Sequence, residues 1–198
     1  MEIMKHICSP KGLLIMSAII LLVGKFVFHK EYLNCFEIMT QHLKCFEKGN
    51  GKISKVAIFL YFVVPFFISL SLVQIRSIDD TVINILAIII SILTSMFFTL
   101  LTLILDMRKK IKQDKNYDAG DAQLSTKLLR ETYYSIMFEI LVSIVILIMC
   151  FIDLFAKQYS SFDSLVIYYL VFILLTNLFM ILKRVYKVID RDLNDNKF

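Results

Sequence analysis

The chain has 198 residues, 58% hydrophobic and 20% charged, with 22 Lys or Arg against 17 Asp or Glu and a mean hydropathy of +0.72. A soluble domain of this length buries one core and covers it with charge; here charge is sparse and apolar runs exceed the length that a core helix needs. That excludes a water-soluble globular domain and predicts an all-α, polytopic transmembrane helical bundle: four long spans as two hairpins, behind a short N-terminal apolar helix and an amphipathic helix.

Residues 1–55 form the first segment. Ser9-Pro10 fits an N-cap followed by proline at the first helical position. Gly12 to Gly24 is apolar, and Lys25 interrupts before Phe26, Val27 and Phe28. Such a run covers only ~20 Å of a ~30 Å hydrocarbon core. With Lys25 snorkelling, 12–28 just spans; otherwise it lies flat. Lys5 and Lys11 resemble the start of a signal peptide, but no A-x-A site follows, and Asn34 before Cys35 is too large for lipoprotein cleavage; the segment is therefore expected to be retained. Beyond it, Phe28, Tyr32, Cys35/Phe36, Met39, Leu43 and Phe46 repeat at helical spacing, with His29, Lys30, Asn34, Glu37, Gln41, Lys44 and Lys48 opposite. This predicts an amphipathic helix of about 20 residues ending at Gly49-Asn50-Gly51. It serves either as an interfacial element or as a collar for subunit contact and gating.

Two hairpins follow. Residues 56–106 hold the uncharged runs Val56–Ile75 and Val82–Leu105, joined by a turn where Asp79, Asp80 or Thr81 can cap the second arm. Pro65 should kink the first. Residues 135–182 hold Ser135–Ala156, carrying Glu139 and Asp153, and the uncharged run Leu165–Leu182, with a turn at Ser161–Ser164. Each is long enough to cross a bilayer, which takes about 20 residues. Between the hairpins, residues 107–134 carry Arg108-Lys109-Lys110-Ile111-Lys112, a breaker at Asp118–Asp121, and a helix expected to begin near Asp121 and continue into the third span. The last span continues into the tail, 183–198.

Lys and Arg in short loops mark the cytoplasmic side. Residues 25–55 hold six Lys, 107–130 hold seven Lys or Arg, and 183–198 hold five, so 18 of 22 bases share one face. The bacterial inner membrane with a cytoplasmic C-terminus is the expected location. Lys44, Lys48, Lys52, Lys109, Lys110, Lys112, Lys127, Arg130, Lys183, Arg184 and Lys187 are candidates for an anionic ligand held by phosphate contacts, with Tyr133, Tyr134 and Tyr186 near enough in sequence to stack bases. The same bases also suit anionic membrane lipids.

Inside the spans, Asn84, Ala87, Ser91, Ser95, Thr99, Thr102 and Asp106 recur every three or four residues over about 33 Å. Thr132, Ser135, Glu139, Ser143, Ile146, Cys150 and Asp153 form a second stripe. Small polar seams let membrane helices pack closely; seams polar from end to end also line water-filled paths. Asn84, Ser91, Ser95, Thr99, Thr102, Asp106, Glu139 and Ser143 are the pore-lining candidates. For Glu139, an ion pair with a snorkelling Arg130 or Lys183 stands beside a gating carboxylate.

No catalytic set is legible. His6, His29 and His42 never approach H-E-x-x-H, the long spans lack glycine, and Cys8, Cys35, Cys45 and Cys150 make no CxxC pair or metal-ligand spacing. Neither an enzyme, a cofactor nor a metal is expected.

In span count and basic loops the whole chain resembles the stand-alone membrane effectors of bacterial nucleotide-signal anti-phage systems, in particular the Hailong-type transmembrane effector. That resemblance lies in architecture and assigns a role to no residue. It implies a homo-oligomer that answers a nucleotide or oligonucleotide made by a partner nucleotidyltransferase, and that depolarises the membrane. A non-conducting accessory or scaffold subunit that packs with a partner protein is the other reading.

Overall fold

The computed structural model describes residues 35–47, 54–113, 119–155 and 159–195, together with Met16; at 111–113, 119–124 and 191–195 only the backbone is described. The span-or-interface question at 12–28, the bases Lys48 and Lys52, and the loop centre at 114–118 lie outside these residues, as does the side chain of Lys112. Ile38–Phe198 forms one compact unit.

The described elements are helices: α1 (Phe36–Lys44), α2 (Lys55–Ile75), α3 (Asp80–Gln113), α4 (Ala119–Asp153) and α5 (Ser161–Asp195). The last four are long and apolar enough to cross a membrane, as the uncharged runs predict. The fourth span does continue into the tail, and α4 starts at Ala119, two residues before the expected Asp121, a difference within the ordinary spread of helix ends.

The predicted amphipathic helix lies outside the described residues before Cys35, and its C-terminal end comes earlier than Gly49-Asn50-Gly51. It ends at Lys44, where the amides of Cys45, Phe46 and Glu47 bond three residues back, to His42, Leu43 and Lys44, at 3.0–3.1 Å. This tightened turn swings Phe46 into the interior beside Tyr61 and Phe62. The Ser54 amide then closes on the Phe46 carbonyl at 3.0 Å. Burying one aromatic ring outweighs another turn of exposed helix.

Pro65 acts through the turn before it. Its ring would collide with the carbonyl four residues back, at Tyr61, and it has no amide to donate. The helix widens into a π segment over Phe59–Val63, and the Val64 amide reaches five residues back to the Phe59 carbonyl. Such bulges are a usual way for a helix to absorb a local misfit. Ser69 Oγ donates back one turn to the Pro65 carbonyl at 2.7 Å.

At the turn between α2 and α3, Asp79 is the cap among the three candidates. Its Oδ1 accepts from the Val82 amide at 2.9 Å, and its carboxylate also pairs with Arg76. Together the Arg76 pair and the Val82 amide hold the Asp79 carboxyl below its ordinary range. The Ile78 amide donates to Ser164 Oγ at 3.2 Å, tying this turn to the one between α4 and α5.

The arms of the second hairpin, α4 and α5, pack on each other as expected, whereas those of the first take other partners. α3 packs along α4, α4 along α5, and α5 along α2, so the order across the bundle is α3–α4–α5–α2. Half of the most apolar window of α4 is buried, 39% of that of α5, but only 17% for α3 and 11% for α2; α4 and α5 are the inner helices. A seven-residue repeat explains the seams. Ile83, Ile90, Phe97 and Ile104 are buried on α3; Leu129, Ile136, Ser143 and Cys150 on α4; Ile167, Leu174, Ile181 and Val188 on α5. A 3.5-residue period keeps one stripe facing its neighbour along the whole contact. The outer faces of α2 and α3 present Phe59, Phe66, Phe67, Ile85, Ile92 and Met96 to the surroundings, a patch that suits lipid and not water.

Candidate functional site

The two polar stripes lie in opposite environments. On α3, Asn84, Ser91, Ser95, Thr99, Thr102 and Asp106 are all exposed. The repeat of isoleucines and Phe97 faces α4, and the polar positions fall on a flank that the described residues leave uncovered. Three hydroxyls satisfy themselves within the helix: Ser91 donates to the Ala87 carbonyl at 2.7 Å, Thr99 to Ser95 at 3.2 Å and Thr102 to Thr99 at 2.7 Å. Those bonds leave each hydroxyl oxygen with acceptor capacity directed outward. Asp106 ends the stripe, with Lys109 Nζ 3.6 Å away on the same helix face.

Glu139 and Ser143 lie inside the protein. Both are fully buried on α4, with Thr132 and Ser135, so they border no surface that two copies of the chain could share. The expected ion pair of Glu139 is not formed. Arg130 and Lys183 are exposed, and neither oxygen of Glu139 has a hydrogen-bond partner. What faces the carboxyl is Asn177 on α5, within hydrogen-bonding range of it, though not in a geometry that closes a full hydrogen bond at Nδ2 or Oδ1. Asn177 is a residue that sequence reasoning missed, because it stands alone in an otherwise uncharged run. The α5 repeat gives it away: it falls between Leu174 and Ile181, on the buried face.

At the helix ends rich in Lys and Arg, hereafter the basic end, Arg184 departs from the other bases. Its Nη1 donates to the Glu131 carbonyl at 2.9 Å and to Ser135 Oγ at 2.8 Å, and Nη2 donates to the Cys45 carbonyl at 3.1 Å. The Glu131 carboxylate stands 3.6 Å away. One guanidinium thus joins α4, α5 and the turn after α1, with three of its five N–H donors engaged within the protein. The same contact region raises the Cys45 thiol pKa, chiefly through burial, against the opposing effect of Arg184.

The remaining described candidates point outward. Lys44, Lys109, Lys110, Lys127, Arg130, Lys183 and Lys187 are exposed at the ends of α1, α3, α4 and α5, and the packing of α3, α4 and α5 along one another brings those ends to one side. Tyr133 and Tyr134 are half-buried and pack edge to face at 5.4 Å, whereas Tyr186 is exposed.

No protein-family model, curated protein or solved structure matches the chain.

Proposed function

We propose that the protein is a homo-oligomeric, channel-like effector of the bacterial cytoplasmic membrane, gated from the cytoplasm by an anionic nucleotide or oligonucleotide. The observation that carries this reading is the exposed stripe Asn84–Asp106 on α3. A row of polar side chains about 33 Å long, on the outermost helix of the row, is poorly matched to lipid, where each polar group costs free energy unless satisfied. A second copy of the chain, or water held between copies, removes that mismatch. α3 of each subunit then borders the axis, while the apolar faces of α2 and α3 keep contact with lipid.

The ligand half of the proposal rests on Lys109, Lys110, Lys127, Arg130, Lys183 and Lys187. They are carried on helices that run on from the spans, so charge bound there pulls directly on the spanning segments. Arg184 has no place in this set, since its guanidinium is bonded within the protein itself. By the bias of bases to the inner side of membranes, the basic end and the C-terminus are cytoplasmic. In that setting the ligand is the product of a partner nucleotidyltransferase, and opening depolarises the membrane as an anti-phage response.

The competing reading, a non-conducting accessory subunit, is favoured by the hydroxyls of Ser91, Thr99 and Thr102, whose bonds to their own helix would let the stripe pack dry. Ion flux separates the two. Purified protein in liposomes should pass potassium when short oligonucleotides are added on the basic side, and Ser95→Leu with Thr99→Leu should abolish flux without altering oligomer size. An oligomer that passes no ions with or without nucleotide overturns the channel.

A further inference from the structure

Glu139 poses a problem that the α3 stripe does not. Every described base on the elements around it is exposed or, like Arg184, engaged elsewhere. Glu131 and Arg184 are bonded to each other. Arg130 and Lys183 are exposed, and the charges at the end of α3, from Asp106 to Lys110, are exposed as well. His42 on α1 lies against Phe138, and burial, then the nearby Arg184 charge, hold its imidazole down to about 3, so it offers no positive charge. Glu139 sits eight residues, about 12 Å along α4, deeper than Glu131. A lone carboxylate at that depth is costly unless a positive charge joins it.

The side chains around it are oxygen donors. Ser143 is one turn on along the same face of α4, and Asn177 approaches from α5. All three residues are fully buried, and five polar atoms close no hydrogen bond: both Glu139 oxygens, Ser143 Oγ, and Asn177 Oδ1 and Nδ2, the approach of Asn177 to Glu139 being the one that comes near it. Native interiors seldom leave such atoms unpaired. Four of the five are hard oxygens, carried on two helices packed along each other, with one carboxyl among them.

We propose that Glu139, Ser143 and Asn177 form an internal binding site for one small alkali cation, of the sodium class. Hard oxygen ligands without nitrogen or sulfur select alkali and alkaline-earth ions over transition metals. The single charge then decides between those two: a monovalent ion leaves the site neutral, whereas a divalent ion leaves an excess positive charge in a low-dielectric interior. The cation bridges α4 to α5 at the middle of the bundle, which the Arg184 contacts do only at its basic end. Ser135 and Thr132 lie buried one and two turns from it toward that end.

Binding of radiolabelled sodium to the purified full chain in detergent, at about pH 8, tests this directly. The expected result is saturable binding of one ion per chain, displaced by unlabelled sodium but not by choline. Glu139→Gln should lose it at least tenfold, and Ser143→Ala should weaken it while the bundle stays folded. The thermal midpoint should rise by several degrees between choline and sodium at matched ionic strength, and this rise should vanish in Glu139→Gln. A folded wild-type protein with no saturable sodium binding overturns the site. So does a midpoint that ignores sodium but follows pH through Glu139, since a proton then occupies the carboxylate. Neither readout involves ion flux, so this site and the channel stand or fall separately.

Discussion

His42 lies flat against Phe138, with ring centroids 4.0 Å apart and planes within 2°, while Phe46 meets its edge at 5.2 Å. Neither ring nitrogen has a hydrogen-bond partner. The imidazole therefore serves as an aromatic filler that docks α1 on α4, and it must be neutral to do so. Burial is the main cause of its pKa of about 3, and the Arg184 charge adds to it.

That neutrality fixes the sign of the pH dependence. In the unfolded chain His42 takes its proton near 6.5; in the folded chain it resists until about 3. Its contribution to stability is therefore complete above about pH 6.5 and declines as pH falls, by at most ~1.4 kcal/mol per unit. The thermal midpoint in detergent should drop between about pH 6.5 and pH 5, a window above the usual carboxylate range. His42→Phe keeps the stacked ring and should flatten that slope; an unchanged slope would assign it to another group.

Arg184 should prove structural. Arg184→Ala removes three hydrogen bonds and the Glu131 pair, leaving carbonyls and a carboxylate of low exposure without their donor. A loss of about 2–4 kcal/mol is expected, together with release of the α1 turn, which limited proteolysis near Glu47 would report. Arg184→Lys should recover only part of the stability, because an ammonium cannot serve Glu131, Ser135 and Cys45 from one planar fork. Full recovery with Lys would mean that charge alone holds the junction.

The spans, the long helices at the basic end and the Asp79 turn were legible because each depends on local pattern: uncharged length, unbroken helical spacing, a side-chain oxygen before a helix. Packing partners were legible only for the second hairpin, whose arms α4 and α5 do pack on each other. Adjacent runs such as Val56–Ile75 and Val82–Leu105 read as a hairpin, yet α2 settles on α5 and α3 on α4. The seven-residue repeat of Ile83, Ile90, Phe97 and Ile104 carried that information, hidden by isoleucine and leucine on every other face of α3. The same crowding hid the contrast between the stripes. Spacing identified both, but only packing reveals that Ser95 and Thr99 face out while Glu139 and Ser143 face in. Arg184 reads as one base among eleven until its neighbours Cys45, Glu131 and Ser135, distant in sequence, converge on it.

If the α3 stripe borders water, single cysteines will report it. In a background with Cys8, Cys35, Cys45 and Cys150 replaced by serine or alanine, Ser95→Cys and Thr102→Cys should react with a membrane-impermeant, charged thiol reagent. Met96→Cys, also exposed but on the apolar face, should react at least ~10 times more slowly, since only thiolate in contact with water is nucleophilic. Equal, slow labelling at all three positions in the liganded protein would support a dry interface.

The basic end makes a different demand, because exposed lysines serve lipid and ligand alike. Lys109→Glu and Lys110→Glu together change the local charge by four while leaving the α3 seam at Ile104 untouched. The loss of the Lys109–Asp106 pair costs little, as both partners are solvent-exposed. Fold and oligomer size should therefore persist. Affinity for a short oligonucleotide should fall tenfold or more, and the slope of log affinity against log salt should shallow by about one for each phosphate no longer neutralised. Lys127→Glu and Lys187→Glu, on α4 and α5, should act in the same direction if the three helix ends hold one ligand. Loss confined to the α3 pair would instead place the ligand against α3 alone, beside the end of the polar stripe at Asp106, and gating would then act on that helix without passing through α4 and α5.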